Sequence, residues 1–217
     1  MNKRLLSNFA QTVLFSLLIT PVSTAQMKTQ IHLGLNQTTF SGESNSDFSA
    51  ALKFSAGVGL GFAISGGVFI QPEVVYSVKG ASVEGEDRFP EVEGGVRARV
   101  TITYLEFPLL LGYQFGGVSM RPRIYAGPYL AYKLKARITF EAQAGGPMFT
   151  ETDDSVVDWD SGIVLGAAMH FPFGDEEFAI GARASFGLAE VTQSTNGEEL
   201  EQSLSNRSAG IYAAILF

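Results

Sequence analysis

Phe54-Ser55-Ala56-Gly57-Val58-Gly59-Leu60-Gly61-Phe62-Ala63-Ile64 decides the fold. Phe54, Ala56, Val58, Leu60, Phe62 and Ile64 fall on one face, and Ser55, Gly57, Gly59, Gly61 and Ala63 on the other. Strict period-two alternation specifies a strand, and this length suits one tilted crossing of a bilayer. The contents of the two faces say more than the alternation. A half-buried strand of a soluble protein sets apolar residues against charged ones. Here bulky apolar side chains oppose Gly, Ser and Ala, as expected where one face meets hydrocarbon and the other a crowded interior.

The same division recurs in both directions. Residues 68 to 78 set Val68, Ile70, Val74, Tyr76 and Val78 against Gln71, Glu73, Ser77 and Lys79. Residues 123 to 135 set Ile124, Ala126, Leu130, Tyr132 and Leu134 against Arg123, Gly127, Lys133 and Lys135. Residues 160 to 171 set Ile163, Leu165, Ala167, Met169 and Phe171 against Asp160, Gly162, Gly166 and His170. Residues 178 to 188 set Phe178, Ile180, Ala182, Ala184, Phe186 and Leu188 against Gly181, Arg183, Ser185 and Gly187. Ile31, Leu33 and Leu35 begin a first strand; Ala209, Ile211, Ala213, Ile215 and Phe217 mark a last one. Between Arg99 and Phe115 the lipid face is Leu105, Phe107, Leu109, Leu111 and Tyr113, which leaves Glu106 inside. Upstream, Val100, Ile102 and Tyr104 share the face of Glu106, so either a bulge shifts the phase or this end projects above the bilayer.

These segments predict an all-β fold: an eight-stranded antiparallel up-and-down transmembrane β-barrel. Its connections alternate. Residues 40 to 53, 80 to 98, 139 to 158 and 189 to 206 are long; Ser65-Gly66-Gly67, residues 116 to 122 and residues 172 to 177 are short. Four long extracellular loops and three short periplasmic turns are what such a barrel requires. The long loops carry Glu43, Asp47, Glu84, Glu86, Asp87, Glu91, Glu93, Glu141, Glu151, Asp153, Asp154, Asp158, Glu190, Glu198, Glu199 and Glu201, offset only by Arg88 and Arg97 and by Lys53 at the end of the first. The outer rim is therefore expected to be acidic.

The first residues have the layout of an export signal. Lys3 and Arg4 precede an apolar run from Val13 to Ile19, and Pro21-Val22-Ser23-Thr24-Ala25 ends it in small residues. The run is too short for the roughly 20 residues of a spanning helix. Residues 1–25 are therefore expected to be a cleaved signal peptide, and 26–217 one barrel domain. The chain has no cysteine, which excludes disulfides and a lipid-modified cysteine. Its net charge is −7, and loss of Lys3 and Arg4 makes the remainder more acidic, which argues against nucleic acid as a partner.

Three blocks resemble the PorT-like outer-membrane β-barrel proteins common in Bacteroidetes. They are Gln71-Pro72-Glu73-Val74-Val75-Tyr76-Ser77-Val78-Lys79-Gly80, Tyr104-Leu105-Glu106-Phe107-Pro108-Leu109-Leu110-Leu111, and Ala126-Gly127-Pro128-Tyr129-Leu130-Ala131-Tyr132, with Ala131 where that family usually has Gly. The resemblance runs from about residue 31 to the end. It implies a Gram-negative outer-membrane barrel without assigning an activity; one member is associated with protein secretion. A terminal strand closing on Phe217 is similarly what outer-membrane barrels present to the barrel-assembly machinery.

The alternation yields eight candidate interior charges: Glu73, Lys79, Glu106, Arg123, Lys133, Lys135, Asp160 and Arg183. A barrel this small has room for side chains and little else, so mixed signs predict a salt-bridged filling in place of a channel or a substrate site. His32 and His170, the only imidazoles, are expected at the periplasmic edge. No hydrolase or metalloprotease motif occurs, and Gly57, Gly59 and Gly61 lie within a strand, where packing explains them better than a nucleotide loop. The acidic runs Glu151-Thr152-Asp153-Asp154-Ser155 and Glu198-Glu199-Leu200-Glu201 match no calcium-loop spacing. Tyr76, Tyr104, Tyr113, Tyr132 and Trp159 are expected in interfacial girdles. No catalytic residue, cofactor or metal is expected. The reading is a barrel in outer-membrane lipid with a structural or surface-interaction role. The alternatives are an accessory of envelope transport or secretion with a protein partner, and a soluble lipocalin-like carrier with its apolar faces turned inward.

Overall fold

The computed structural model describes residues 27–42, 48–85, 96–117, 119–142, 147–152, 156–189 and 204–217. Among these described residues lie nine strands: β1 (Met27–Ser41), β2 (Phe48–Ser65), β3 (Val68–Gly85), β4 (Val96–Gln114), β5 (Arg121–Ala142), β6 (Pro147–Thr152), β7 (Trp159–Phe173), β8 (Glu176–Gly187) and β9 (Ser205–Leu216). Eight of them close a barrel in the order β1-β2-β3-β4-β5-β7-β8-β9, every pairing antiparallel. The seam joins β9 to β1, and Thr29 and Phe217 exchange backbone hydrogen bonds of 2.9 and 3.0 Å across it. Closure leaves the barrel wall no open edge, the condition for β-structure in hydrocarbon.

The ninth strand was not expected. β6 lies inside the predicted loop 139–158 and pairs with the far end of β5, forming a hairpin beyond the wall. The wall strands also extend well into the segments expected to be long loops. Two of the short turns are tighter than expected. Gly66 and Gly67 join β2 to β3 with φ of +58° and +90°, the pair of positive values that a type I′ hairpin demands.

Facing obeys the alternation. Phe54, Val58, Leu60, Ile64, Val74, Leu109, Leu111, Leu130, Ile163, Leu165, Ile180 and Ile211 are all exposed on the outside. Between 38% and 64% of each is open, an apolar surface that only lipid suits. This is the reverse of the facing a lipocalin-like carrier needs. Val78 departs from the expectation, being 7% exposed. On β4, Ile102 and Tyr104 are completely buried on the interior face with Glu106, so that strand keeps its phase. The irregularity is on its neighbour β5: Thr103 pairs with Lys135 and Tyr104 with Lys133, leaving Leu134 as a bulge.

Interior glycines make room for rings. A Cβ on Gly181 would lie 2.5 Å from the Tyr212 ring, and one on Gly166 2.5 Å from Tyr125. One on Gly57 would meet the His32 imidazole at 2.6 Å. The small residues of the predicted interior face are the floor on which large polar rings lie.

Residues 1–26, including the expected signal peptide, lie outside the described residues, as do Glu43, Asp47, Glu86, Asp87, Glu91, Glu93, Asp153, Asp154, Glu190, Glu198, Glu199 and Glu201 of the acidic rim.

Candidate functional site: the charged lumen

The lumen is organised in three tiers. Nearest the long loops, Lys79 of β3 lies 2.7 Å from Glu106 of β4 and 3.4 Å from Asp160 of β7. Asp160 Oδ2 also accepts hydrogen bonds from Tyr129 Oη at 3.1 Å and Asn206 Nδ2 at 3.0 Å. The Lys79 ammonium stands 4.5 Å from the centre of the Tyr129 ring and 5.4 Å from that of Tyr104. One buried cation is thus held by two carboxylates and two aromatic faces. Lys79 and Asp160 are each 1% exposed.

The middle tier is built on Arg183 of β8. Its guanidinium forks onto Glu73, Nη1 at 2.8 Å and Nη2 at 3.0 Å, the bidentate geometry that suits a carboxylate. It also lies between the rings of Tyr125 and Tyr212, whose hydroxyls are 3.1 Å apart. Gln71 donates to Glu73 at 2.7 Å and continues to Gln30 at 3.4 Å, beside His32.

At the turn end the polarity inverts. Glu177 is 1% exposed and is surrounded by Arg121 at 2.5 Å, Lys28 at 3.1 Å, His170 at 3.6 Å and Arg123 at 3.7 Å. This tier borders a cavity of about 390 Å³ whose lining includes Lys28, Phe69, Arg121, Arg123 and Glu177.

Of the eight predicted interior charges, Glu73, Lys79, Glu106 and Asp160 are buried, and Arg123, Arg183 and Lys133 are partly so. Lys133 bonds the Val156 carbonyl and sits 3.2 Å from Asp158. Lys135 is a correction. It is exposed, because the bulge at Leu134 turns the next residue outward. Tyr104 is another: it lies in the lumen, while Tyr76, Tyr113, Tyr132 and Trp159 stay outside. His170 lies in the turn-end tier, as expected, and His32 beside Gln30 in the middle tier; both are buried, each 2% exposed. Glu177 and Asn206 were missed because they were assigned to connections. Extending the alternation of β8 back from Phe178, and of β9 back from Ala209, puts both inside. Among the described residues no group of three His, Asp or Glu has the geometry to hold a metal ion.

The three blocks that carry the PorT-like resemblance converge here. Lys79 comes from the first, Tyr104 and Glu106 from the second and Tyr129 from the third, and all meet at one ammonium. A known family, described as outer membrane protein beta-barrel domain, matches residues 9–193. The chain belongs to that family. No curated protein matches it. Among solved structures, Neisserial surface protein A is 14% identical over 88% of this chain and 95% of its own, with a TM-score of 0.46. A major outer membrane protein from Thermus thermophilus is 11% identical over 88% and 99%, with a TM-score of 0.49. The attachment invasion locus protein Ail of Yersinia pestis, solved with the heparin analogue sucrose octasulfate, is 9% identical over 88% and 99%, with a TM-score of 0.44. At such values they say nothing of what this chain binds, and membership rests on the match over residues 9–193.

Proposed function

We propose that this member of the family is a closed barrel with a structural or surface-interaction role, acting through its loop end and catalysing no reaction. The observation that carries the reading is the use of the lumen's charges on one another. Lys79 is held by Glu106 of the neighbouring strand and by Asp160 from across the barrel, and Arg183 by Glu73 across the barrel. Buried charges satisfied in this way fill space and fix register; an ion path or a substrate site needs charges left for the visitor. Reconstituted full-length protein is expected to give no stepwise conductance in a planar bilayer at physiological salt. Discrete openings would overturn the closed-lumen reading.

The convergence of the three blocks on Lys79 favours a PorT-like barrel of a Gram-negative envelope, and with it a second reading as an accessory of transport or secretion. Co-purification after mild detergent extraction separates the two, since a stable stoichiometric partner supports the accessory. Export by a signal peptide cleaved after Ala25, and recognition of the last strand by the barrel-assembly machinery, complete the proposal. N-terminal sequencing of the membrane fraction tests the first. Normal outer-membrane levels of a chain lacking Phe217 would count against the second.

A further inference from the structure

Along β5 the outward face runs Ile124, Ala126, Pro128, Leu130, Tyr132 and Leu134, all exposed. At about 3.3 Å rise per residue and about 40° of tilt, Ile124 to Leu134 climbs about 25 Å, the height of the apolar band of such barrels. The next outward residues on this face therefore stand at the lipid headgroups of the loop-side leaflet. They are Lys135 and Arg137, both exposed. Their outward aim comes from the bulge: with Leu134 unpaired, two consecutive residues face lipid, and the inside-outside alternation resumes one position out of step.

Lys135 and Arg137 line a depression of about 230 Å³ with Tyr76, Thr101, Thr103 and Leu134. Among the described residues its lining has two cations, three hydroxyls and no carboxylate, on a chain whose net charge is −7. Lys53 Nζ donates to Thr101 Oγ1 at 2.8 Å, which brings a third cation to the rim and leaves the Thr101 proton free to donate outward. Arg99 and Lys53 line the adjoining depression with Ser49 and Ser82. Among the described residues neither Lys135 nor Arg137 has an ion-pair partner, whereas the lumen's cations lie beside carboxylates.

We propose that Lys135 and Arg137, with the hydroxyls of Thr101, Thr103 and Tyr76, bind the phosphate of an outer-leaflet lipid headgroup. Cationic and hydroxyl donors around a space whose described lining holds no acid suit a phosphate, and Arg supplies a planar fork for its oxygens. The site opens sideways at the edge of the apolar band. Leu134 and Tyr76 lie at its lower margin, where an acyl chain continues into the bilayer. A soluble anion has no use for that margin; a phospholipid or phosphorylated glycolipid does. The inference goes beyond the proposed role, because it names a ligand for the wall of the barrel.

Trp159 is the chain's only tryptophan, and it sits outside at the same end, beside Tyr132. Its fluorescence reports which lipids gather there. Full-length protein is reconstituted in phosphatidylcholine vesicles with either brominated phosphatidic acid or brominated phosphatidylcholine as a minor component. Phosphatidic acid is expected to quench with about fivefold or greater selectivity, since each basic residue near an anionic surface contributes about that factor. The selectivity is lost in K135Q/R137Q and kept in R207Q, which removes an exposed arginine of β9 elsewhere on the wall. Heat-modifiable gel mobility verifies that each variant is folded. Equal quenching by both lipids in the native chain, or the same loss in R207Q, overturns the proposal. Abolition of the selectivity by a few millimolar inorganic phosphate would assign the site to a free anion and overturn it as well.

Discussion

The two ends of the lumen are made of the same materials in opposite arrangement. On the loop side one cation, Lys79, sits among two carboxylates; on the turn side one carboxylate, Glu177, sits among three cations and an imidazole. What differs is water. The side chains of Lys79, Glu106 and Asp160 are 2%, 8% and 0% exposed, whereas Arg121 and Lys28 keep 32% and 29%. A buried charge that loses its partner has nothing to replace it, while a half-exposed one is re-solvated and Glu177 keeps its other neighbours. The loop-side cluster therefore works as a single rigid lock, and the turn-side cluster as a redundant set.

K79M is the sharpest test of that contrast. It leaves Glu106 and Asp160 uncompensated and should cost about 3–5 kcal/mol, read as a lower urea midpoint by Trp159 fluorescence in phosphatidylcholine vesicles. Adding E106Q should return part of the loss; no return would mean that Lys79 acts through packing alone. V58R places a charge at the centre of the outward run from Leu52 to Ile64 and should cost about 2–4 kcal/mol in a bilayer. An unchanged midpoint would deny that the wall faces lipid. G181V drives a side chain into the Tyr212 ring between the two clusters and should cost about 1–3 kcal/mol, with little effect if the ring can swing aside. R121Q should cost less than about 1 kcal/mol and be blunted further by salt. A loss as large as that of K79M would erase the distinction between the ends.

Much of this was legible in the residues because the two-residue period is rigid. The lipid face of β2, the inward aim of Glu73, Lys79, Glu106, Asp160 and Arg183, and the alternation of turns with loops all come from counting by twos. The failures have physical causes. A bulge adds one residue without disturbing composition, and Leu134 followed by Lys135 is as plausible in one phase as the other, so Lys135 was placed inside. The interior of a narrow barrel accepts apolar and aromatic groups as readily as charges, which is why Ile102 and Tyr104 gave an ambiguous phase for β4. Glu177 and Asn206 sit where a strand meets its connection, and hydrophobicity does not mark that boundary to within a residue. β6 lies in a polar stretch whose pairing with β5 depends on where that strand stops.

The seam between β1 and β9 carries a consequence for how the molecule is made. Thr29 and Phe217 are almost the whole chain apart, so the longest excursion of the polypeptide must be brought home before the cylinder is sealed. No nascent fragment, however nearly finished, can offer hydrocarbon a continuous wall. Every precursor carries two raw edges and a greasy flank that some escort must shield until the final strand arrives.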